Sequence, residues 1–295
     1  MGLECFDEWT RKDEGSDMTW TQIIIYALVQ GITELFPVSS VGHAVILPYL
    51  AGWTDISGNK QFLPFVVMLH LGTAFALLIY FWRDWLNLIR ALFVPRAKER
   101  RLLGRIIMAT IPAAVIGAGL EHKFRQLFPS ALSAGIFLIV NGLVLFLADR
   151  LRKNAAHSRF KEIEQVSYPQ SFFVGLIQSL ALIPGFSRSG VTMTAGLGVG
   201  LSYEEAARFS FLLATPVILG AGILEVPKVI KSHSPQMLHF GIVGGILAGI
   251  VAFLSTAFLM KYFQSHEVRA LRPFGYYSII VGAIVAVLAA LNLHL

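Results

Sequence analysis

The chain has 295 residues, of which 55% are hydrophobic and 14% are charged. Soluble domains carry about 25% charged residues, so the composition excludes a water-soluble surface, a coiled coil and a disordered chain, and it indicates a membrane protein. The single cysteine, Cys5, excludes an intrachain disulfide and a cysteine-rich metal site. The net charge of +6 is interpreted as membrane topology, and no nucleic-acid partner is predicted.

Residues 1–17 form a polar tail with no apolar stretch before Cys5, so we predict neither a signal peptide nor a lipoprotein signal there. Beyond the tail, six apolar segments approach the length of about 20 residues that a helix needs to cross the bilayer. The predicted spans are Phe62–Trp82, Arg105–Leu120, Leu132–Ala148, Ala206–Leu224, Met237–Met260 and Pro273–Leu293.

Two further apolar stretches are interrupted by short polar breaks. Thr19–Trp53 is interrupted at residues 37–43, and Pro169–Leu201 is interrupted at residues 184–190. At about 1.5 Å per residue, the two pieces of the second stretch reach roughly 22 and 18 Å, which is too short for either to cross alone. We predict that each stretch is a re-entrant helical hairpin. The alternative, in which Thr19–Phe36 crosses fully, would give seven spans.

The distribution of basic residues supports the six-span arrangement. Fifteen of the 24 Lys and Arg residues lie in loops 83–105, 149–168 and 261–272, which share one side if the hairpins do not cross. The positive-inside rule places that side in the cytoplasm and both termini outside. A seventh span would place the N-terminus inside.

Each half of the chain is therefore predicted to be a hairpin followed by three spans. Because three is odd, the second half enters from the opposite face, which gives an inverted-topology repeat. The predicted fold is an all-α polytopic membrane protein with six transmembrane helices and two re-entrant helical hairpins. We assign residues 18–148 to the first repeat, 149–168 to a cytoplasmic linker and 169–295 to the second repeat.

The candidate binding and catalytic residues lie at the two breaks. Irregular backbone at membrane depth survives where protein or a water-filled cavity satisfies it, so we expect the breaks to face inward and meet. Glu34 and Arg188 are ionisable groups inside apolar stretches, which are functional by default. The candidate residues are Gln30, Glu34, Ser39, Ser40 and His43 at the first break, and Ser187, Arg188, Ser189 and Thr192 at the second.

This set of residues suits a phosphate group. Helix N-termini favour anions, and an arginine fork and several hydroxyls add donors. Glu34 would repel the anion unless a proton or a hard divalent cation lay between them. Each residue also has a structural interpretation, because a serine beside a break is more often a helix cap than a nucleophile. We interpret His70 as a hydrogen-bonded core histidine and Gln178 as a packing residue.

Two motifs resemble one known family. The segment QGITE at residues 30–34, followed by PVSSVGH at residues 37–43, resembles the E/Q-x-x-x-E segment and its extension in the undecaprenyl-diphosphatase family, also called bacitracin resistance proteins. The segment PGFSRSGVT at residues 184–192 resembles that family's second motif. Gln30 departs from the Glu of many members, which puts in doubt any scheme that needs two carboxylates there.

The resemblance implies a multi-pass protein of the bacterial inner membrane with its active site open to the periplasm. It implies hydrolysis of undecaprenyl diphosphate with Mg²⁺ or Ca²⁺, which recycles the lipid carrier for the cell wall. The implied partners are the bilayer and the polyprenyl diphosphate lipid, for which bacitracin competes; a homodimer is left open. The alternative function is a transporter or flippase of a phosphorylated polyprenyl lipid or anion, since such proteins are also built from inverted repeats.

The motifs then assign expected roles. Glu34, Ser40, His43 and Arg188 are expected to be catalytic, and Glu34 is the expected metal ligand. Three nucleophiles are left open: Ser40 with Glu34 or His43 as base, a metal-bound water, and His43 itself. The expected substrate-binding residues are Gln30, Ser39, Ser187, Arg188, Ser189 and Thr192.

Overall fold

The computed structural model describes residues 18–53, 62–94, 96–127, 130–154, 160–231, 235–266 and 268–293. The predicted N-terminal tail, residues 1–17 with Cys5, lies outside the described residues. Within those ranges the chain is helical, and its extended structure is limited to an isolated bridge between Lys161 and Leu201.

The described helices are numbered in chain order. Those of the first half are α1 (Trp20–Thr33), α2 (Ser40–Leu50), α3 (Phe62–Tyr80), α4 (Trp82–Phe93), α5 (Ala97–Leu127) and α6 (Ala131–Asn154). Those of the second half are α7 (Tyr168–Gln178), α8 (Arg188–Gly198), α9 (Tyr203–Lys231), α10 (Pro235–Ser265) and α11 (Arg272–Ala290), with 3₁₀ turns at Ile163–Gln165 and Ser179–Leu182.

Five of the described helices contain a segment long and apolar enough to cross a membrane, and a bent pair brings the number to six. The protein is thus a multi-pass membrane protein, as the composition predicts. The five segments are Ala97–Gly119, Ala131–Arg152, Tyr203–Pro227, Leu238–Ser265 and Arg272–Ala290. The bent pair is Pro64–Tyr80 with Trp82–Phe93, at an angle of 77°.

The helices on either side of each break are short. Helix α1 has 14 residues, or about 21 Å, and α2, α7 and α8 have 11 residues each. Thr19 and Gln22 form a capping box that begins α1. Ser39 and Ser187 cap α2 and α8, and Ser39 adopts a φ of 70°, which turns the chain sharply between α1 and α2. None of these four helices reaches across a bilayer alone.

The prediction of a loop at residues 83–105 is wrong for its first part, which forms helix α4. The charged residues Arg83, Asp84 and Arg90 suggested a loop, but they alternate with apolar residues at helical spacing, and the segment forms an amphipathic helix. Several of its large apolar side chains are exposed: Trp82, Leu86, Ile89, Leu92 and Phe93. Helix α5 also begins earlier than the predicted Arg105, because that arginine is buried and donates to the carbonyl oxygens of Val166 and Arg101.

Glycines allow the long helices to touch along their backbones. A Cβ atom on Gly72 of α3 would lie 1.9 Å from the carbonyl oxygen of Gly245 of α10. A Cβ atom on Gly142 of α6 would lie 2.7 Å from the carbonyl oxygen of Gly275 of α11. Small residues of this kind permit close packing where lipid gives no hydrophobic drive.

The two short helices that precede the breaks pack in the same manner. Gly31 of α1 lies against the backbone of α10, where a Cβ atom would be 2.6 Å from the carbonyl oxygen of Ala248. Gly175 of α7 lies against the backbone of α5, where a Cβ atom would be 2.2 Å from the carbonyl oxygen of Ala109. Each of these short helices is therefore anchored by a glycine contact to a long helix.

Candidate active site

The two breaks meet, as the sequence predicts. Arg188 Nη2 lies 3.1 Å from Glu34 Oε1, which joins residues 154 positions apart in the chain. Ser189 donates from its hydroxyl to the carbonyl oxygen of Phe36 at 3.1 Å. A Cβ atom on Gly42 would lie 3.1 Å from the Cα atom of Gly185, so the two turns are in backbone contact.

Glu34 is the centre of the site. It follows α1 directly, and its side chain is buried. Its Oε2 atom accepts hydrogen bonds from Ser40 Oγ at 2.5 Å and Gln30 Nε2 at 3.1 Å. Gln30 and Glu34 share a helix face at a spacing of four residues, so the amide orients the carboxylate. The cation that balances the buried charge at Oε1 is Arg188.

Arg188 is held from two sides. Its Nη1 atom donates to the carbonyl oxygen of Ser210 on α9 at 3.0 Å, and its Nη2 atom donates to Glu34. The hydroxyl oxygens of Ser210 and Thr192 lie 2.7 Å apart and hydrogen-bond to each other. Helix α9 thus fixes the guanidinium at the N-terminus of α8, where the helix dipole favours an anion. No feature of the sequence singles out Ser210 for this role.

The remaining hydroxyls are used mainly by the backbone of the breaks. Ser39 accepts from the amide of Gly42, and Ser187 accepts from the amide of Gly190, each at 3.1 Å. Ser187 and Ser189 also bond to each other at 3.0 Å. Thr192 donates to the carbonyl oxygen of Arg188 at 2.7 Å. Capping of the half-helices is therefore an observed role of these residues.

His43 is bonded at both ring nitrogens. Its Nδ1 atom lies 2.7 Å from the carbonyl oxygen of Ser39, and its Nε2 atom lies 2.8 Å from the hydroxyl of Tyr277. A carbonyl oxygen only accepts, so Nδ1 carries a hydrogen and Nε2 can accept from the tyrosine. The Tyr277 ring stacks on the imidazole with centroids 5.8 Å apart.

His70 joins the site, although the sequence indicated an ordinary core residue. Its Nδ1 atom lies 2.8 Å from the carbonyl oxygen of Val66, which satisfies one nitrogen as expected. Its Nε2 atom, however, lies 3.3 Å from Glu34 Oε2. Helix α3 therefore contributes a residue that the motifs do not contain. Its signal in the sequence is a single histidine in an otherwise apolar span, which is a weak one.

A cavity of about 300 Å³ opens beside these residues. Among the titratable residues, Glu34, His70 and Arg188 line it, together with the hydroxyls of Ser40 and Ser187. Gln178 also lines it, and its carbonyl oxygen Oε1 has no hydrogen-bond partner among the described residues. The rest of the wall is mostly apolar, with contributions from α3, α9 and the 3₁₀ turn before the second break. The cavity is polar at the breaks and apolar elsewhere.

The donor set limits how a metal could bind. The described residues contain no group of three or more His, Cys, Asp and Glu side chains that could hold a metal ion. Glu34 is the one carboxylate in the described lining of the cavity. Mg²⁺ is commonly held by one or two carboxylates plus substrate phosphates and water, so a single carboxylate beside hydroxyl and amide oxygens fits a hard cation bound together with a phosphate.

These observations define a class: a multi-pass membrane protein with a buried polar site where two helix breaks meet. The chain belongs to the bacitracin resistance protein BacA family, whose profile matches residues 23–284. It is 46% identical over 267 residues to undecaprenyl-diphosphatase 2 of Oenococcus oeni, which covers 90% of this chain and 97% of that protein. It is also 46% identical to the undecaprenyl-diphosphatase of Granulibacter bethesdensis, over 90% of this chain and 95% of that protein. Its identity to the undecaprenyl-diphosphatase of Acidiphilium cryptum is likewise 46%, over 92% of this chain and 98% of that protein.

Proposed function

We propose that this protein is an integral membrane phosphatase that hydrolyses undecaprenyl diphosphate to undecaprenyl phosphate and inorganic phosphate. The observation that carries the proposal is the buried contact of Ser40 with Glu34 and of Glu34 with Arg188 at the edge of the cavity. Membership of the BacA family and the names of the relatives identify the substrate. The reaction recycles the lipid carrier for cell-wall synthesis and is consistent with bacitracin resistance.

Arg188 binds the terminal phosphate. Phosphoryl transfer requires that the phosphate be held, that developing charge be neutralised and that a nucleophile be in line. The guanidinium presents planar donors that match phosphate oxygens, and Glu34 and the Ser210 carbonyl oxygen hold it in place. The N-termini of α2 and α8 supply further positive potential on the same side.

Ser40 is the nucleophile that the geometry favours. Glu34 Oε2 accepts the Ser40 proton as the serine oxygen attacks the terminal phosphorus, and the bond to the bridging oxygen breaks to release undecaprenyl phosphate. Glu34 passes that proton to the departing oxygen of undecaprenyl phosphate and is a carboxylate again. Water then attacks the phosphoserine, and Glu34 takes a proton from that water and gives it to the departing Ser40 oxygen, which restores the hydroxyl and releases inorganic phosphate. His43 is less suited as a nucleophile, because its two nitrogens already bond Ser39 and Tyr277.

Glu34 is also the residue that would hold Mg²⁺ or Ca²⁺. Its Oε1 atom bonds Arg188, while Oε2 bonds Gln30 and Ser40, so Oε1 is the less crowded of the two oxygens. When bound with the substrate, a divalent cation would neutralise phosphate charge that Arg188 alone leaves uncompensated. Gln30 supplies an amide where a second carboxylate would otherwise add negative charge.

The proposed architecture is six spans and two re-entrant hairpins in an inverted repeat, with the site at the interface of the repeats. The matching anchors of α1 on α10 and of α7 on α5 support it, because each hairpin contacts the second-last helix of the other half in the same way. The matched caps Ser39 to Gly42 and Ser187 to Gly190 support it further. Such an interface is where transporters of this design bind ligands.

The proposed location is the bacterial inner membrane, with the site open to the periplasm. The excess of basic residues in the loops on the opposite side supports this orientation. There the enzyme and bacitracin would compete for the same polyprenyl diphosphate. The glycine contacts that the structure describes are made within one chain, so a homodimer would need another surface.

Phosphate release from undecaprenyl diphosphate by detergent-purified protein tests the proposal. We expect release by the unmodified protein, loss on adding EDTA, and recovery with excess Mg²⁺ or Ca²⁺. Arg188→Ala should lower kcat/KM by about 10³-fold, since it removes the principal phosphate ligand. Arg150→Ala, which alters an exposed arginine at the far end of α6, is the matched control.

Two outcomes would contradict the proposal: no release by the unmodified protein, or undiminished release by Arg188→Ala. The first outcome, combined with movement of intact lipid between leaflets, would favour the transporter alternative.

A further inference from the structure

Asn141 is a buried amide in the middle of the apolar helix α6, and the sequence motifs do not include it. Its side chain is fully buried, and it contacts both helix breaks. Asn141 Oδ1 accepts from the backbone amide of Ser187 at 3.0 Å, and Asn141 Nδ2 donates to the carbonyl oxygen of Pro37 at 3.0 Å. The amide orientation is fixed by these partners, because a backbone N–H only donates and a C=O only accepts.

The two backbone groups that Asn141 satisfies lie outside the regular helices. Pro37 lies between α1 and α2, and Ser187 caps α8. A buried backbone group without a hydrogen-bond partner destabilises the fold, and water is scarce at membrane depth. The planar amide of Asn141 therefore hydrogen-bonds a backbone group in each break. The fixed distance between its donor and acceptor atoms sets the distance between the two breaks.

The face of α6 that carries Asn141 also supports the second break by packing. A Cβ atom on Gly190 would lie 3.1 Å from Asn141 Oδ1. Gly185, which has a φ of +106°, packs close to the carbonyl oxygen of Ala134, seven residues before Asn141 on the same helix. Packing against α6 could thus hold the second break alone. The bond to Pro37 cannot be explained in that way, because it connects the same amide to the first break.

We propose that Asn141 is a positioning residue that fixes the distance between the Ser40 hydroxyl and the Arg188 guanidinium. Ser40 follows Pro37 by three residues, and Arg188 follows Ser187 directly. A shift between the breaks would therefore misalign the nucleophile and the phosphate ligand. This inference rests on the site proposed above. Displacements of about 1 Å can lower rates by about 100-fold, so the effect falls on kcat.

Two substitutions separate hydrogen bonding from packing. Asn141→Leu keeps the branched shape and the number of side-chain heavy atoms but removes donor and acceptor, whereas Asn141→Ala leaves room for about one water molecule, which can donate and accept in their place. We expect kcat to fall by about 10- to 100-fold in Asn141→Leu and by a smaller factor in Asn141→Ala, with KM within about threefold in both. A packing role predicts the reverse order, because alanine leaves a void.

Ser278→Ala is the control. It removes only the longer contact of Asn141 Nδ2, at 3.4 Å, and should keep kcat within about twofold. Activity is measured as phosphate release per folded protein, with folding checked by Tm and gel filtration. Wild-type kcat in Asn141→Leu, or a lower kcat in Asn141→Ala than in Asn141→Leu, would overturn the inference. An active Arg188→Ala in the same series would instead show that the site itself is misassigned.

Discussion

At the residue scale, the site is organised around one carboxylate and its donors. Ser40 and Gln30 contact one oxygen of Glu34, and Arg188 contacts the other. A buried carboxylate is stable only when paired and hydrogen-bonded, and each partner here also has a place in the proposed reaction. The groups that stabilise the carboxylate are thus the groups that we propose bind and cleave the substrate.

His70 is predicted to orient Glu34 from helix α3. His70→Gln can keep a donor toward Glu34 Oε2, whereas His70→Leu leaves that side of the carboxylate without one. We expect His70→Leu to lower kcat/KM by about tenfold or more and His70→Gln to recover most of that loss. Phosphate-release kinetics on protein of matched Tm measure both. Equal activity in His70→Leu and the unmodified protein would remove His70 from the site.

The motif residues were predictable from sequence because they lie at two helix breaks in apolar stretches. A break at membrane depth needs partners, so Glu34 and Arg188 could be expected to meet. His70, Asn141 and Ser210 could not be assigned in the same way. Each lies inside a long helix, and its role arises only from the helices that pack against it, which a local pattern does not specify.

At the element scale, the fold depends on short helices held by close backbone contacts. The break residues can meet only because α1 and α7 stop short and are anchored to α10 and α5 through Gly31 and Gly175. The amphipathic helix α4 shows where sequence reasoning failed at this scale. Its charges suggested a loop, but Asp84 bonds Arg208 of α9 while the exposed apolar residues suit the membrane interface.

The contact between α3 and α10 yields a stability prediction. Gly72→Ala would force a Cβ atom against the backbone of Gly245, so we expect a loss of about 1–3 kcal/mol and a lower Tm. Gly220→Ala on α9 is the matched control, because a Cβ atom there meets nothing within 4 Å. Alanine favours helix over glycine, so the control should be neutral or slightly stabilising. Thermal unfolding in detergent compares them, and equal Tm values would argue against this packing.

At the scale of the whole molecule, the composition indicates the class of protein, and the charge distribution predicts its orientation in the membrane. The low charge content predicted a membrane protein, and the long apolar helices confirm it. The distribution of basic residues then predicts which face is cytoplasmic. The proposed arrangement of six spans and two hairpins depends on how the short helices lie in the bilayer. The contacts of α1 with α10 and of α7 with α5 support this arrangement, and a topology measurement can test it.

Cysteine labelling provides that topology measurement. In a Cys5→Ser background, Ser130→Cys lies between α5 and α6 on the predicted outer side, and Ser265→Cys lies at the end of α10 on the predicted cytoplasmic side; both positions are exposed. We expect an impermeant maleimide to label Ser130→Cys in spheroplasts and to reach Ser265→Cys only after the membrane is permeabilised. The opposite pattern would invert the orientation, and labelling of both would contradict the predicted spans.

In the proposed mechanism Ser40 attacks the substrate while Glu34 accepts its proton and Arg188 holds the phosphate. Acid quench of a reaction with undecaprenyl diphosphate labelled in its terminal phosphate tests this mechanism. We expect label to be trapped on Ser40 during turnover and no label to be trapped in Ser40→Ala, whose turnover should fall by at least about 10³-fold. Full turnover by Ser40→Ala, or label trapped on another residue, would contradict it.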